Sequence, residues 1–215
     1  MKIRTEWFLR WPKCYTMLKR TFDLLFSVSA LAILSPFLLG IAVWIRLDSR
    51  QPAVFRQVRV GLRGRRFRIY KFRTMRAEAE HAGAQITVGA DPRITRSGRF
   101  LRKYKIDEFL QLINVVRGDM SIVGPRPEVP RYVALYPEKL RELVLSVRPG
   151  ITDLASIEFK DESSLLGSSR DPERTYVEEV MPKKLSHCVH YVGNRGFWSD
   201  LKIIWRTIRA VLGWQ

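Results

Sequence analysis

Apolar positions along this chain follow three different rhythms. From Leu24 to Ile45 they run for 22 residues with no charged side chain, and a helix needs about 20 such residues to cross a bilayer. From Phe67 to Phe72 (Phe67-Arg68-Ile69-Tyr70-Lys71-Phe72) bulky residues alternate with cations, the period of a strand. Gly61 and Gly64 punctuate the stretch before it, so Phe55 to Met75 predicts a β-hairpin. In the third rhythm Phe109, Leu112, Ile113 and Val116 recur at helical spacing. Gly118-Asp119 ends that helix, and Met120 to Val123 predicts a short buried strand. Gly124-Pro125-Arg126-Pro127 then predicts a rigid loop whose two prolines hold one arginine in place.

The remaining segments are shorter and more polar. Arg76 to Gly83 predicts one or two helical turns, Gln85 to Ala90 a loop, and Asp91-Pro92-Arg93 a turn that Asp91 stabilises locally. Pro130 to Val147 predicts a helix, ended by Arg148-Pro149-Gly150. Ile151 to Phe159 reads as strand or irregular chain, Lys160 to Asp171 as an exposed polar loop, and Thr175 to Val192 as a helix interrupted near Pro182. Phe197 to Trp214 predicts an amphipathic basic helix. Trp198, Leu201, Ile204, Trp205, Ile208, Val211 and Leu212 fall on one side, with Lys202, Arg206 and Arg209 on another. Such a helix suits either the domain core or the headgroup layer of a membrane. The fold class is α+β and helix-dominated. Residues 1–20 make a basic, aromatic interfacial segment, 21–47 a membrane helix, and 48–215 a small cytoplasmic domain with short strands and amphipathic interfacial helices.

A charge-free run of this length is seldom the core helix of a soluble protein, and it starts too late and continues too far for a cleavable signal peptide. The choice is between a straight span and a re-entrant hairpin. Ser35-Pro36 stands near the middle of the run. Proline removes a backbone donor and bends a helix, and the serine hydroxyl can satisfy the carbonyl set free. Each half is then about 16 Å long, half a bilayer. Charge favours the hairpin. Six cations (Lys2, Arg4, Arg10, Lys13, Lys19 and Arg20) precede the run and eleven fall between Arg46 and Arg76. The positive-inside rule therefore puts both flanks on the cytoplasmic side.

The chain carries 38 Lys+Arg against 21 Asp+Glu, a formal net charge of +17. That balance implies an anionic partner: nucleic acid, an acidic membrane surface or a phosphorylated substrate. No recognisable nucleic-acid-binding module accompanies the charge. A membrane-anchored nucleic-acid-binding protein or a non-catalytic scaffold is therefore the weaker alternative. Cys14 and Cys188 stand far apart, give no disulfide framework and suit a reducing compartment. His187, Cys188 and His190 lack a further ligand group at zinc spacing and read as structural.

Asp107 and Glu108 open the helix of the third rhythm. Two carboxylates there can simply complement the helix dipole. They lie, however, among Arg99, Arg102, Lys103, Lys105 and the loop-held Arg126, and Lys71 sits between bulky neighbours in the hairpin instead of in the solvated basic run. Carboxylates among this many cations point to a site that handles phosphate through charge pairs.

Taken together, these segments resemble the bacterial sugar transferases of the monotopic phosphoglycosyl transferase superfamily. The resemblance runs from about Thr21 to the C-terminus. It rests on Ser35-Pro36, Tyr70-Lys71-Phe72-Arg73-Thr74-Met75, Asp91-Pro92-Arg93-Ile94-Thr95 leading to Leu101-Arg102, and Asp107-Glu108. Arg117-Gly118-Asp119-Met120-Ser121, Val123-Gly124-Pro125-Arg126-Pro127 and Arg148-Pro149-Gly150-Ile151-Thr152 complete it.

The resemblance implies transfer of a sugar-1-phosphate from a UDP-sugar to a polyprenyl (undecaprenyl) phosphate, with release of UMP. The expected place is the cytoplasmic face of the bacterial inner membrane, where the reaction starts assembly of a surface glycan. It implies a catalytic acidic pair, with Asp107 as nucleophile and a covalent aspartyl-phosphosugar intermediate. It also implies Mg²⁺ at Asp107 and Glu108, with Glu108 serving the metal or the proton of the incoming lipid phosphate. By motif match Lys71, Arg102 and Arg126 bind phosphate, and Ser35-Pro36 kinks the re-entrant helix. Membrane lipid is an expected partner, nucleic acid is not, and a homodimer is compatible with the pattern. The chain departs from many members in Asp153-Leu154-Ala155-Ser156, where they continue Gly-Trp-Ala-Gln, and at Cys188, near which several carry an acidic residue. Those departures leave the donor sugar open.

Overall fold

The computed structural model describes residues 13–76, 86–89 and 91–213, with side chains from residue 15 onward. The interfacial expectation for residues 1–12 and most of the helix expected at Arg76 to Gly83 lie outside the described residues.

Helix α1 (Lys13–Ser49) is 37 residues long and passes through Pro36 as one element. Proline has no N–H for the carbonyl four residues back, that of Ala32. The Ser35 hydroxyl donates to that same Ala32 oxygen at 2.8 Å, so the serine satisfies the group its neighbour sets free. One stripe of α1 is buried, comprising Asp23, Ser27, Leu38, Ile41 and Ile45, with Leu31 and Leu34 packed beside it. The stripe recurs every three or four residues and so forms one face. Opposite, Leu25, Phe26, Val28, Ile33, Phe37, Leu39 and Val43 stay exposed. Leu38, Ile41 and Ile45 pack with Phe72, Leu101 and Leu110, which lays the helix along the domain.

Polar contacts pin α1 at both ends. Asp23 accepts the Ser121 hydroxyl at 2.7 Å and the Ile122 backbone N–H at 3.3 Å. Near the other end Asp48 accepts the Ser97 backbone N–H at 2.9 Å and its hydroxyl at 2.7 Å. Asp48 thereby serves the first turn of α2 (Arg96–Lys103), whose own cap is the Thr95 hydroxyl.

Strands β1 (Val54–Val60) and β2 (Arg66–Phe72) pair antiparallel, Phe55 opposite Lys71 and Arg59 opposite Phe67. Alternation puts Phe55, Gln57 and Arg59 on the same face as Phe67, Ile69 and Lys71. The outer edge of β2 is closed by Asn114 of α3 (Gln111–Arg117). Asn114 Oδ1 accepts the Tyr70 N–H at 2.9 Å and its Nδ2 donates to the Arg68 carbonyl at 2.8 Å. A buried amide thus takes the place of a third strand.

A second, parallel pair joins β3 (Ser121–Val123) to β4 (Gly150–Thr152). Parallel strands need a long crossover, here supplied by α4 (Pro130–Val133) and α5 (Glu138–Val144). The chain continues through α6 (Leu154–Glu158), α7 (Glu162–Gly167), α8 (Pro172–Thr175), a wide turn at Tyr176–Val180, α9 (Met181–Asn194) and α10 (Phe197–Leu212). Ile69, Val115, Met120, Ile122, Val123, Tyr191, Val192 and Ile203 form the core between the strands and the last two helices. Asp200 of α10 accepts hydrogen bonds from Tyr15, Lys19 and Tyr191 at 3.0, 2.7 and 2.9 Å, tying the start of α1 to the C-terminal helix.

Several expected boundaries shift. The helix expected from Asp107 is a tight turn at Ile106–Glu108 followed by α3. Pro130 to Val147 divides into α4 and α5, because Pro137 precedes the second helix. Ile151 to Phe159 is the end of β4 and then α6, whose cap Asp153 accepts the Ser156 N–H at 2.7 Å. Lys160 to Asp171 is not a loop throughout. It contains α7, whose buried anchor Leu166, 1% exposed, follows the exposed Leu165 in an otherwise polar stretch. The helix expected from Thr175 to Val192 is interrupted close to Pro182, where the wide turn at Tyr176–Val180 gives way to α9 and the proline takes a position in its first turn. His187 pairs with Glu158 at 2.9 Å, Cys188 lies in the core and His190 is exposed, so the three point to different surroundings. Helix α10 buries Asp200 and Ile203 but leaves Trp198, Trp205, Ile208 and Leu212 exposed.

Candidate active site

Arg126 is held by its loop from both sides. The Gly124 and Gly150 backbones approach so closely that a Cβ on Gly150 would lie 2.1 Å from the Gly124 nitrogen. Pro125 and Pro127 fix φ on either side of the arginine. Its own N–H donates to Asp153 Oδ2 at 3.1 Å, and an Arg59 guanidinium N–H donates to the Pro127 carbonyl at 3.1 Å.

Asp107 and Glu108 occupy the tight turn, introduced by Lys105 with φ of +56°. A side-chain-bearing residue there is strained by roughly 1–2 kcal/mol. The regular helix starts only at Gln111, and Glu108 does not cap it. Glu108 Oε1 accepts Lys71 Nζ at 2.9 Å, Arg126 donates one N–H to Oε2 at 3.1 Å, and its other terminal nitrogen donates to Oε1. The fork of Arg126 therefore engages both oxygens of one buried carboxylate.

The two neighbouring carboxyls are driven apart electrostatically. Burial alone would raise the Glu108 carboxyl, but the charges and hydrogen bonds of Arg126 and Lys71 outweigh it and hold it well below the usual carboxylate range. Burial, and then the charge of Glu108, push Asp107 above its ordinary value, against Lys71, Arg102 and Lys105. Asp107 Oδ1 is buried and has no hydrogen-bond partner. Glu108 also holds the Arg126 guanidinium firmly charged, while burial lowers the Lys71 ammonium against the pull of Glu108. One carboxylate is an anchored counter-ion and the other an unengaged group, a division that suits separate chemical roles.

Of the sequence-predicted residues, Lys71, Asp107, Glu108 and Arg126 come together. Arg102 stands to the side, donating to the Thr74 and Thr87 hydroxyls at 2.8 and 3.1 Å. It bonds neither carboxylate, although the charge of Asp107 opposes the burial that lowers it. Asp91 does serve its own turn, accepting the Arg93 N–H at 3.0 Å. Ser35 and Pro36 lie in α1, and the site rests on that helix. Phe72, Ile106, Phe109 and Leu110, which flank Lys71 and the acidic pair, pack with Leu38, Ile41 and Ile45.

Residues 14–214 match the family described as Bacterial sugar transferase. The chain belongs to the bacterial sugar transferase family. It is 38% identical over 200 residues to the UDP-N-acetylgalactosamine-undecaprenyl-phosphate N-acetylgalactosaminephosphotransferase of Aeromonas hydrophila, an overlap of 92% of this chain and 44% of that protein. It is 37% identical over 196 residues to the UDP-glucose:undecaprenyl-phosphate glucose-1-phosphate transferase of Caulobacter vibrioides, covering 90% and 69%. With the exopolysaccharide production protein PSS of Rhizobium leguminosarum bv. phaseoli the identity is 39% over 202 residues, covering 91% and 96%. This bacterial sugar transferase thus spans under half of the Aeromonas relative and nearly all of the Rhizobium one.

Sequence reasoning missed the supports of the site: Arg59 and Asp153 behind the arginine loop, and Asn114 beside Lys71. The signal for Asn114 was present, as a lone amide inside the apolar pattern of Leu112 to Val116. Arg59 was indistinguishable from its basic neighbours until the hairpin faces were assigned.

Proposed function

We propose that this bacterial sugar transferase moves a sugar-1-phosphate from a UDP-sugar to undecaprenyl phosphate and releases UMP. The observation that carries this reading is the divided acidic pair, with Glu108 locked between Lys71 and Arg126 beside an Asp107 oxygen that nothing engages. An Asp107 carboxylate oxygen attacks the phosphorus next to the sugar. The bond from that phosphorus to the bridging oxygen breaks, and UMP leaves with the electron pair. A phosphate oxygen of the lipid acceptor then attacks the same phosphorus, and the Asp107 oxygen departs as carboxylate. Lys71 and Arg126 neutralise the phosphate charge in both steps, and Glu108 holds the two cations in register.

Magnesium fits these residues. The ion is commonly held by one or two carboxylates with substrate phosphates completing its shell, and Asp107 Oδ1 is acceptor capacity that no side chain uses. Asp107 would hold it through that oxygen, whereas both oxygens of the expected second ligand, Glu108, are taken by Lys71 and Arg126; it would supply charge neutralisation at the diphosphate. Among the described residues no group of three or more His, Cys, Asp or Glu side chains is gathered as a larger ligand set.

The contacts of α1 support a re-entrant placement in the cytoplasmic leaflet of the inner membrane. Asp23 and Asp48 flank the apolar run, and both bond to the same domain. A straight span would carry its two ends to opposite faces of the bilayer. The exposed apolar face from Leu25 to Val43 lies in lipid, which brings the site to the headgroup layer where the acceptor phosphate resides.

Purified enzyme in nanodiscs, given undecaprenyl phosphate and a panel of UDP-sugars starting with UDP-glucose and UDP-N-acetylgalactosamine, should release UMP with at least one donor. Asp107→Asn should release none, because an amide cannot form the acyl phosphate. Near-normal turnover in that variant removes Asp107 as nucleophile, and no UMP from any donor removes the reaction. In a Cys14→Ser background, Met17→Cys and Arg50→Cys should both react with an impermeant thiol reagent from the cytoplasmic side. Labelling from opposite sides means a straight span.

A further inference from the structure

Gln111 is 1% exposed, and neither its side-chain nitrogen nor its side-chain oxygen has a hydrogen-bond partner. Asn114, equally buried one turn later, uses both ends of its amide. A buried amide with both ends idle is destabilising, whereas methionine would fill nearly the same space without that cost.

The position of Gln111 places this idle amide at the site. Glu108, Gln111 and Asn114 follow one another at intervals of three residues along a helical path, with Phe109 N–H to the Ile106 carbonyl at 3.1 Å and Leu112 N–H to the Phe109 carbonyl at 3.1 Å. Residues three apart share a face. The first of the row bonds Lys71 of β2, and the last bonds the backbone of Tyr70 and Arg68 on the same strand. Gln111 is interposed on this path between the residue that holds Lys71 and the residue that closes the edge of β2. The other idle buried atom here is Asp107 Oδ1. An unused donor and an unused acceptor thus lie within one turn of each other.

We propose that Gln111 is a positioning residue for Asp107. Its Nε2 donates a hydrogen bond to the Asp107 carboxylate as phosphorus approaches, fixing the plane of the carboxylate for attack. A carboxylate has about four lone-pair sites, so one N–H leaves the others for phosphorus and a metal. Gln111 exchanges no proton or electron pair. The Asp107 oxygen–phosphorus bond forms, the phosphorus–UMP bond breaks, and the amide only restricts rotation. This inference rests on the nucleophile reading of Asp107.

The test compares Gln111→Met with wild type and Asp107→Asn, using the first UDP-sugar of the panel that wild type turns over. The expected result is at least a tenfold loss of kcat, donor KM within about threefold of wild type, and a melting temperature at or above wild type. A kcat within twofold of wild type overturns the proposal. So does a kcat loss accompanied by a lower melting temperature in both Gln111→Met and Gln111→Leu, or a change confined to KM, because those mark a packing or a binding role. Gln111→Leu is measured alongside and must show the same kcat loss should methionine disturb the fold. An active Asp107→Asn enzyme overturns the nucleophile reading itself, whereas a dead Asp107→Asn with an active Gln111→Met sinks only the role of Gln111.

Discussion

Arg126→Ala tests the ion cluster as a unit of stability. The change removes both N–H donors from Glu108, whose side chain is 11% exposed, and leaves it with Lys71 alone. Deleting one partner of a buried pair costs about 3–5 kcal/mol. Two features lower that figure here: Lys71 remains, and the Arg126 side chain is 32% exposed, so water screens part of the interaction. About 2–3 kcal/mol is left, equivalent to a fall of about 5–10 °C in melting temperature for a chain of this size. Intrinsic tryptophan fluorescence during a thermal ramp reads it. The pH dependence has a definite sign. Glu108 is held below its ordinary value of 4.5, so its stabilising contribution is complete above that pH and is lost as pH falls through the lower folded-state value. The gap between wild type and Arg126→Ala should therefore persist from neutrality to about 4.5 and close only below it. Adding Glu108→Gln to Arg126→Ala removes the stranded charge and should recover part of the loss. Arg126→Ala melting within about 2 °C of wild type, or a double variant no more stable than the single, would refute the reasoning.

Two further perturbations probe the supports of the site. Asn114→Ala strands the Tyr70 N–H and the Arg68 carbonyl, at about 1–3 kcal/mol. Hydrogen exchange at Tyr70 should accelerate and turnover should fall, since Lys71 is the next residue; unchanged exchange rules out the edge-closing role. Gly150→Ala places a methyl 2.1 Å from the Gly124 nitrogen and 2.4 Å from its oxygen, so the arginine loop must shift. Strain of this kind costs about 1–3 kcal/mol. Both melting temperature and kcat should drop together, and full activity would show that the loop tolerates displacement.

Elements with strong local signals were readable before the fold was known. The hairpin carried Lys71 in the expected alternation, and Gly124 to Pro127 formed the stiff loop its prolines require. Local signals failed where one tertiary contact settled the outcome. Leu166 anchors α7 on the core although, apart from the adjoining Leu165 and Gly167, the stretch from Lys160 to Asp171 holds only serines and charged residues, so it looked like a loop. The acidic pair was ambiguous for the same reason, since Asp107-Glu108 beside a helix looks alike whether it serves the dipole or a charge cluster.

By itself the sequence determined the apolar run with its Ser-Pro step, the strand bearing Lys71, the clamped arginine and the family, because each is written in a short contiguous stretch. Only the tertiary structure decided what Glu108 does, because its partners stand 37 residues before it and 18 after it. It alone separated the two carboxyls, one held by cations and one left idle, since burial and distance set that difference. It also laid α1 along the domain through a stripe reaching from Asp23 to Ile45. Length and hydropathy describe what a helix can do in a membrane, while only the folded chain shows that Asp23 and Asp48, on either side of the apolar run, bond to the same domain.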